Sequence, residues 1–160
     1  MEQSVNAGVP FIFIEMDKFK DAYIENEEEP LWIYAYGSLI FHPSFDPAER
    51  KIGYVSNVRR EFSHASYRFG VADWPGRVAT LVHHNGRRTW GVGYKITGRD
   101  KKQNAFEMLS EREIAQGYAI GMLDFIDAVS GEKVEAAVYV TALDSNLSLM
   151  DDPLDIQVSK

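Results

Sequence analysis

The sequence predicts an α+β fold built on a curled, largely antiparallel sheet. Three observations carry this. Short apolar runs alternate with turn signals along most of the chain. Two pairs of such runs are each separated by a glycine turn, at Asn85-Gly86 and at Ser130-Gly131. One strongly helical stretch lies between the pairs, so strands and helices do not alternate as a doubly wound nucleotide-binding fold requires.

The 160 residues suit one core, and 45% of them are hydrophobic. Residues 1–30 read as an acidic N-terminal arm and residues 31–160 as the domain. The arm holds eight acids and two lysines, so it carries most of the net charge of −7. Glu27-Glu28-Glu29 reads as a solvated linker. Pro10-Phe11-Ile12-Phe13-Ile14 is a local packing element, because Glu15 and Asp17 follow at once and no basic n-region precedes it. Phe19, Ala22 and Tyr23 have helical spacing.

In the body, residues 31–36 form an apolar strand before a glycine. Residues 77–84 and 87–96 form a hairpin across a type I′ turn at Asn85-Gly86, with Trp90, Val92, Tyr94 and Ile96 on one face. A helix starts at Asp100, which caps it, and runs to about Ile114, with Gly117 just beyond. Residues 122–129 and 133–141 form a second hairpin. From 142 the chain is polar and turn-rich, with weak structure expected.

The body is nearly neutral, with no basic surface of the kind nucleic acid needs. No early apolar run is long enough to span a bilayer, and the cytoplasm is the default expectation. Absence of cysteine excludes disulfides and thiolate chemistry. His83 and His84 are adjacent on a strand and point to opposite faces; His42 and His64 have no ligand spacing, so no metal site is expected. There is no P-loop. Gly91 and Gly93 sit inside a strand and read as close sheet packing.

Two features could carry chemistry. On the helix, Ala105, Phe106, Met108 and Leu109 cluster on one side at 100° per residue, and Glu113 falls on that side. Glu107 and Glu111 fall opposite. An inward carboxylate is suited to proton transfer, because desolvation raises its proton affinity. An ion pair with Arg112 or Arg77 is an equal alternative from spacing alone. The second feature is Tyr36-Gly37-Ser38-Leu39. A glycine turn after a strand can converge backbone N–H groups into an anion cradle, and an ordinary turn is the competing reading. Ser38 is no hydrolase nucleophile, since G-x-S-x-G is missing.

Taken in order, Tyr36 to Ile40, Gly53-Tyr54, Arg59-Arg60-Glu61-Phe62, Pro75 to Leu81, Trp90 to Tyr94, and Leu109, Arg112, Glu113, Gly117 and Tyr118 resemble the ChaC-type γ-glutamylcyclotransferases, the glutathione-specific branch most of all. The likeness covers roughly residues 31 to 157. Phe41 departs from the family's tryptophan, and Ser63-His64-Ala65-Ser66 from its Trp-Gln-Gly-Ser. Relatives also continue past Pro153 into a helical segment that helps close the pocket. The resemblance implies a barrel-like sheet with flanking helices, and an enzyme that cleaves glutathione or another small γ-glutamyl amide to 5-oxoproline without cofactor or metal. It implies Glu113 as the acid/base. The substrate would lie on Tyr36, Gly37, Ser38 and Leu39, with Arg77 and Tyr118 also in contact. A cyclotransferase for γ-glutamyl amino acids or amines, and a weakly catalytic carboxylate-binding domain, stay open.

Overall fold

The computed structural model describes residues 11–71, 74–114 and 117–141, and only the backbone within 63–77. Six strands form one sheet: β1 (Phe11–Phe13), β2 (Leu31–Ala35), β3 (Glu49–Val71), β4 (Trp74–Ile96), β5 (Tyr118–Asp127) and β6 (Lys133–Thr141). Their order is β1-β5-β3-β4-β2-β6, and a further β5–β6 pairing closes the sheet into a barrel. Pairs are antiparallel except β2 with β6, which meet in parallel at Ile33 and Ala137. Two helices pack on it, α1 (Met16–Phe19), prolonged by a π-helical turn at Lys20–Ile24, and α2 (Arg99–Glu113). The α+β, barrel-like expectation holds.

Period-two alternation builds two cores. Trp32, Tyr34, Leu123, Phe125, Val138 and Val140 form one. Leu31, Ile33, Tyr94, Ile120 and Tyr139 form the other, together with Phe106 and Leu109 of α2. Within the first, the Phe125 ring lies so close that a Cβ on Gly93 would sit 2.7 Å from it. On Gly53 it would sit 2.0 Å from the Ile126 carbonyl oxygen. Gly93 is the close packing the sequence suggests, as is Gly91, whose Cβ would sit 2.3 Å from the Ala35 carbonyl oxygen; Gly53 adds a third such site.

The N-terminal segment shares this core. β1 pairs with residues 121–123 of β5, and Phe19 and Ile24 are buried against Phe106 and its neighbours. Each such side chain contributes on the order of 1.5–3 kcal/mol. The Tyr23 hydroxyl donates to Glu135. Glu27, Glu28 and Glu29 are exposed, as a solvated run should be. Lys102 of α2 is fully buried and donates to the carbonyl oxygens of Asn26 (2.5 Å) and Glu29 (2.7 Å), while burial lowers its pKa.

The structure corrects four local expectations. Asn85-Gly86 is not a hairpin turn but a bulge within the single strand β4. Ser56 pairs with Arg88 and Val58 with His83, so residues 84–87 face Asn57 alone. Gly86 has φ 82° and Asn57 φ 63°, and the Gly86 N–H donates to Asn57 Oδ1 at 3.1 Å. A positive φ serves a bulge as well as a turn. Trp90 leaves the buried face of Val92, Tyr94 and Ile96; it is 53% exposed and packs on Tyr54. Gly98, at φ 88°, takes the helix N-cap, and Asp100 lies in the first turn without capping it. Met108 is 41% exposed, because the apolar stripe of α2 is narrower than drawn and Lys102 fills its far end. The β5–β6 hairpin forms as expected, with Gly131 at φ 75°. The stretch from 142 and the β3–β4 turn at 72–73 lie outside the described residues. No described helix is long and apolar enough to cross a membrane.

Candidate active site

β2 ends at Ala35, and the chain turns through Tyr36 and Gly37 into a 3-10 turn, Ser38–Ile40. The Ile40 N–H closes that turn on the Gly37 carbonyl oxygen at 3.0 Å. This leaves the Ser38 and Leu39 N–H groups outside the turn's own bonding. Three side chains fix the turn's shape. The Tyr94 hydroxyl reaches the Leu39 and Ile40 carbonyl oxygens at 3.0 and 2.8 Å. Arg60 Nε donates to the Tyr36 carbonyl oxygen at 2.6 Å and its Nη2 to that of Trp90 at 3.0 Å. Arg112 Nη2 donates to Ser38 Oγ at 2.9 Å. Gly37 has φ −136°, and a Cβ there would meet only Ala79 Cβ, at 3.9 Å. Its glycine is therefore not required by a left-handed backbone.

Glu113 is the last residue of α2. Its side chain is only 12% exposed and enters the pocket that the turn lines. That pocket has an accessible volume of about 50 Å³ and is lined by residues 34–39, Ala79, Glu113, Tyr118 and Tyr139. Glu111 points out to solvent, so the two glutamates divide as their helical positions predict. Arg112 Nε lies 3.5 Å from Glu113 Oε1, so the ion-pair alternative is realised together with the inward placement.

Three phenols complete the walls. The Tyr36 hydroxyl donates to the Tyr139 carbonyl oxygen at 2.5 Å and the Tyr118 hydroxyl to that of Ala79 at 2.6 Å. Burial, first of all, pushes the Tyr36, Tyr118 and Tyr139 pKa values upward, and the Glu113 charge adds to each. These hydroxyls remain protonated donors whose oxygen lone pairs can still accept.

Six of the seven expected site residues thus meet in one pocket: Tyr36, Gly37, Ser38, Leu39, Glu113 and Tyr118. The Arg77 backbone, in β4, pairs with Ala65 of β3, and its side chain lies outside the described residues. Sequence reasoning missed Tyr34, Ala35, Ala79 and Tyr139. Tyr139 stands on a period-two strand and looks like any core aromatic until the barrel brings β6 beside α2.

A sequence model of the family described as "ChaC-like protein" matches residues 31–159. The chain belongs to the ChaC-like family. This ChaC-like chain is 34% identical to glutathione-specific gamma-glutamylcyclotransferase 1 of Danio rerio over 122 residues, 74% of this chain and 62% of the relative. It is 39% identical to gamma-glutamylcyclotransferase 2-1 of Arabidopsis thaliana over 85 residues, 52% of this chain and 39% of that one. The chain therefore spans less than two thirds of the length of either relative. A crystal structure of a γ-glutamyl cyclotransferase specific to glutathione from yeast superposes with a TM-score of 0.71 at 21% identity, covering 80% of this chain and 76% of that one. The ChaC-like fold is thereby shown, and the family match begins where β2 begins.

Proposed function

We propose that this chain cyclises the γ-glutamyl group of a small amide, glutathione first, to 5-oxoproline and frees the amine. One observation carries it: a nearly buried carboxylate, Glu113, and a turn whose Ser38 and Leu39 N–H groups lie outside its own bonding share one pocket. The Ser38 and Leu39 N–H groups would hold the substrate's α-carboxylate by charge-assisted hydrogen bonds. Glu113 would accept a proton from the α-ammonium. The freed amine nitrogen then attacks its own γ-carbonyl carbon and closes a five-membered lactam. As the original amide C–N bond breaks, Glu113 returns that proton to the departing nitrogen. The second proton that the new ring nitrogen must lose follows by the same carboxylate, so the lactam is left neutral and the amine departs as its ammonium. Atoms balance without water, oxidant or metal. Fixing the carboxylate selects the rotamer in which nucleophile and carbonyl meet, which is where an intramolecular reaction gains most. The protonated Tyr36 and Tyr118 can accept from the ammonium and so orient it.

Glutathione as the first candidate is supported by this chain's likeness to the glutathione-specific zebrafish relative. A cytoplasmic location fits a substrate of that compartment's reducing pool. We assign catalysis to residues 31–160, with residues 1–30 as an N-terminal arm whose described part, residues 11–30, packs upon them.

The test is 5-oxoproline release from glutathione and from a panel of γ-glutamyl amino acids and amines, with Glu113→Gln and Glu111→Gln. Glu113→Gln should abolish turnover and keep the fold; Glu111→Gln should match the parent. Equal loss in both would sink the assignment of the acid. Turnover confined to γ-glutamyl amino acids or amines would move the leaving group. Glutathione bound but never turned over would leave a carboxylate-binding domain.

A further inference from the structure

The turn and the acid belong to different parts of the fold. Tyr94 and Arg60 bind the turn to β4 and β3, which are strands of the barrel. Glu113 rides on the C-terminal end of α2, more than seventy positions away along the chain. Arg112 meets both. Its Nη2 donates to Ser38 Oγ at 2.9 Å, its Nη1 to the His42 carbonyl oxygen at 3.3 Å, and its Nε lies 3.5 Å from Glu113 Oε1. The side chain is 20% exposed, which places it at the pocket rim.

We propose that Arg112 is a positioning residue that sets the distance and angle between the carboxylate-holding turn and the Glu113 carboxylate. The inference rests on the roles given above to Glu113 and to the turn. A guanidinium suits this task because its donors are fixed in one plane and can serve separate acceptors at once; an ammonium is a point donor on a flexible stem. The two neutral acceptors matter as much as the acid. When Glu113 takes up a proton its attraction for Arg112 falls, and Ser38 and His42 then keep the guanidinium from swinging away. The acid can therefore change charge through the cycle while the pocket keeps its shape.

The experiment is steady-state kinetics on Arg112→Lys, Arg112→Met, Ser38→Ala and the Arg112→Met/Ser38→Ala double variant, with Glu113→Gln alongside and a thermal melt of each. Arg112→Met should lose on the order of 10- to 100-fold in kcat/KM, the scale of small misplacements in a reacting pair. The loss should divide between a higher KM, from the loosened turn, and a lower kcat, from the displaced acid. Arg112→Lys should recover part of kcat and little of KM, since it keeps the charge and loses the fork. In the double variant, Ser38→Ala should add nothing to the KM of Arg112→Met. Folded Arg112 variants with parental KM and kcat would overturn the proposal, as would a loss no larger than the unfolded fraction. If Arg112→Met does not fold, Arg112→Lys alone and combined with Ser38→Ala decides by the same criteria. An inactive Glu113→Gln beside normal Arg112 variants overturns this inference alone; an active Glu113→Gln overturns the proposed function beneath it.

Discussion

At Gly37 the structure separates two effects that the sequence joins. The backbone there is not left-handed, and a Cβ would touch only Ala79. A Cβ alone therefore has room, and Gly37→Val should still fold. The added methyl groups would occupy the pocket wall beside the N–H groups, so KM should rise steeply and turnover nearly vanish. Ser38→Ala removes the acceptor for Arg112 and leaves the backbone donors, so a modest rise in KM is expected. Amidation of the substrate's α-carboxylate should cost more than any change of leaving group, because it removes the charge the turn is proposed to hold. Kinetics on the two variants and the amidated substrate, with melts as control, check all three. Normal turnover by Gly37→Val would make the loop only a turn.

Among the elements, the tight approach of β4 and β3 to Phe125 makes a sharp test of the barrel interior. Gly93→Ala would drive a methyl group into a ring 2.7 Å away, and overpacking of this kind costs about 1–3 kcal/mol. Urea denaturation should show a lower midpoint with the slope unchanged. The β5–β6 turn offers a second test. Asp127 accepts from the Val129 N–H and the Ser130 hydroxyl and pairs with Lys51 at 3.3 Å. These contacts, the Val129 N–H foremost, hold its pKa below the ordinary 3.8. A depressed carboxyl stabilises the fold above 3.8, and that contribution is lost as the pH falls through the folded value. Asp127→Asn should be less stable than the parent at neutral pH, and the gap should close in acid. A gap that persists in acid would trace the effect to packing instead of charge.

For the molecule as a whole, the buried tyrosines set the alkaline limit. Burial raises the Tyr34, Tyr36, Tyr118 and Tyr139 pKa values above 10.0. The unfolded chain releases these phenolic protons near 10.0 while the folded chain retains them, so their stabilising contribution is full below that pH and falls as the pH rises beyond it. Unfolding should be cooperative in alkali, and phenolate absorbance should appear in step with loss of the fold. Gradual phenolate formation in a protein that stays folded would show that these rings are not sealed.

The sequence by itself determined whatever depends on neighbours along the chain. The apolar run of β2, the β5–β6 hairpin at Gly131, and the division of Glu111 from Glu113 follow from periods of two and 3.6, because side-chain direction repeats with the backbone. The ordered motifs from Tyr36 to Tyr118 were enough to point to the family whose sequence model matches residues 31–159. Tertiary structure decided what depends on closing the barrel. Asn85-Gly86 offers positive φ to a turn or a bulge alike, and only the pairing of β4 with one continuous β3 selects the bulge. Trp90 shares its strand's alternation with Val92 yet stays 53% exposed, with its ring beside Tyr54. Arg112, Arg60, Tyr94 and Tyr139 each act through groups dozens of positions distant, and no local period encodes such contacts. Closure of the sheet through β5 and β6 brings those groups to the end of α2, and the pocket exists only there.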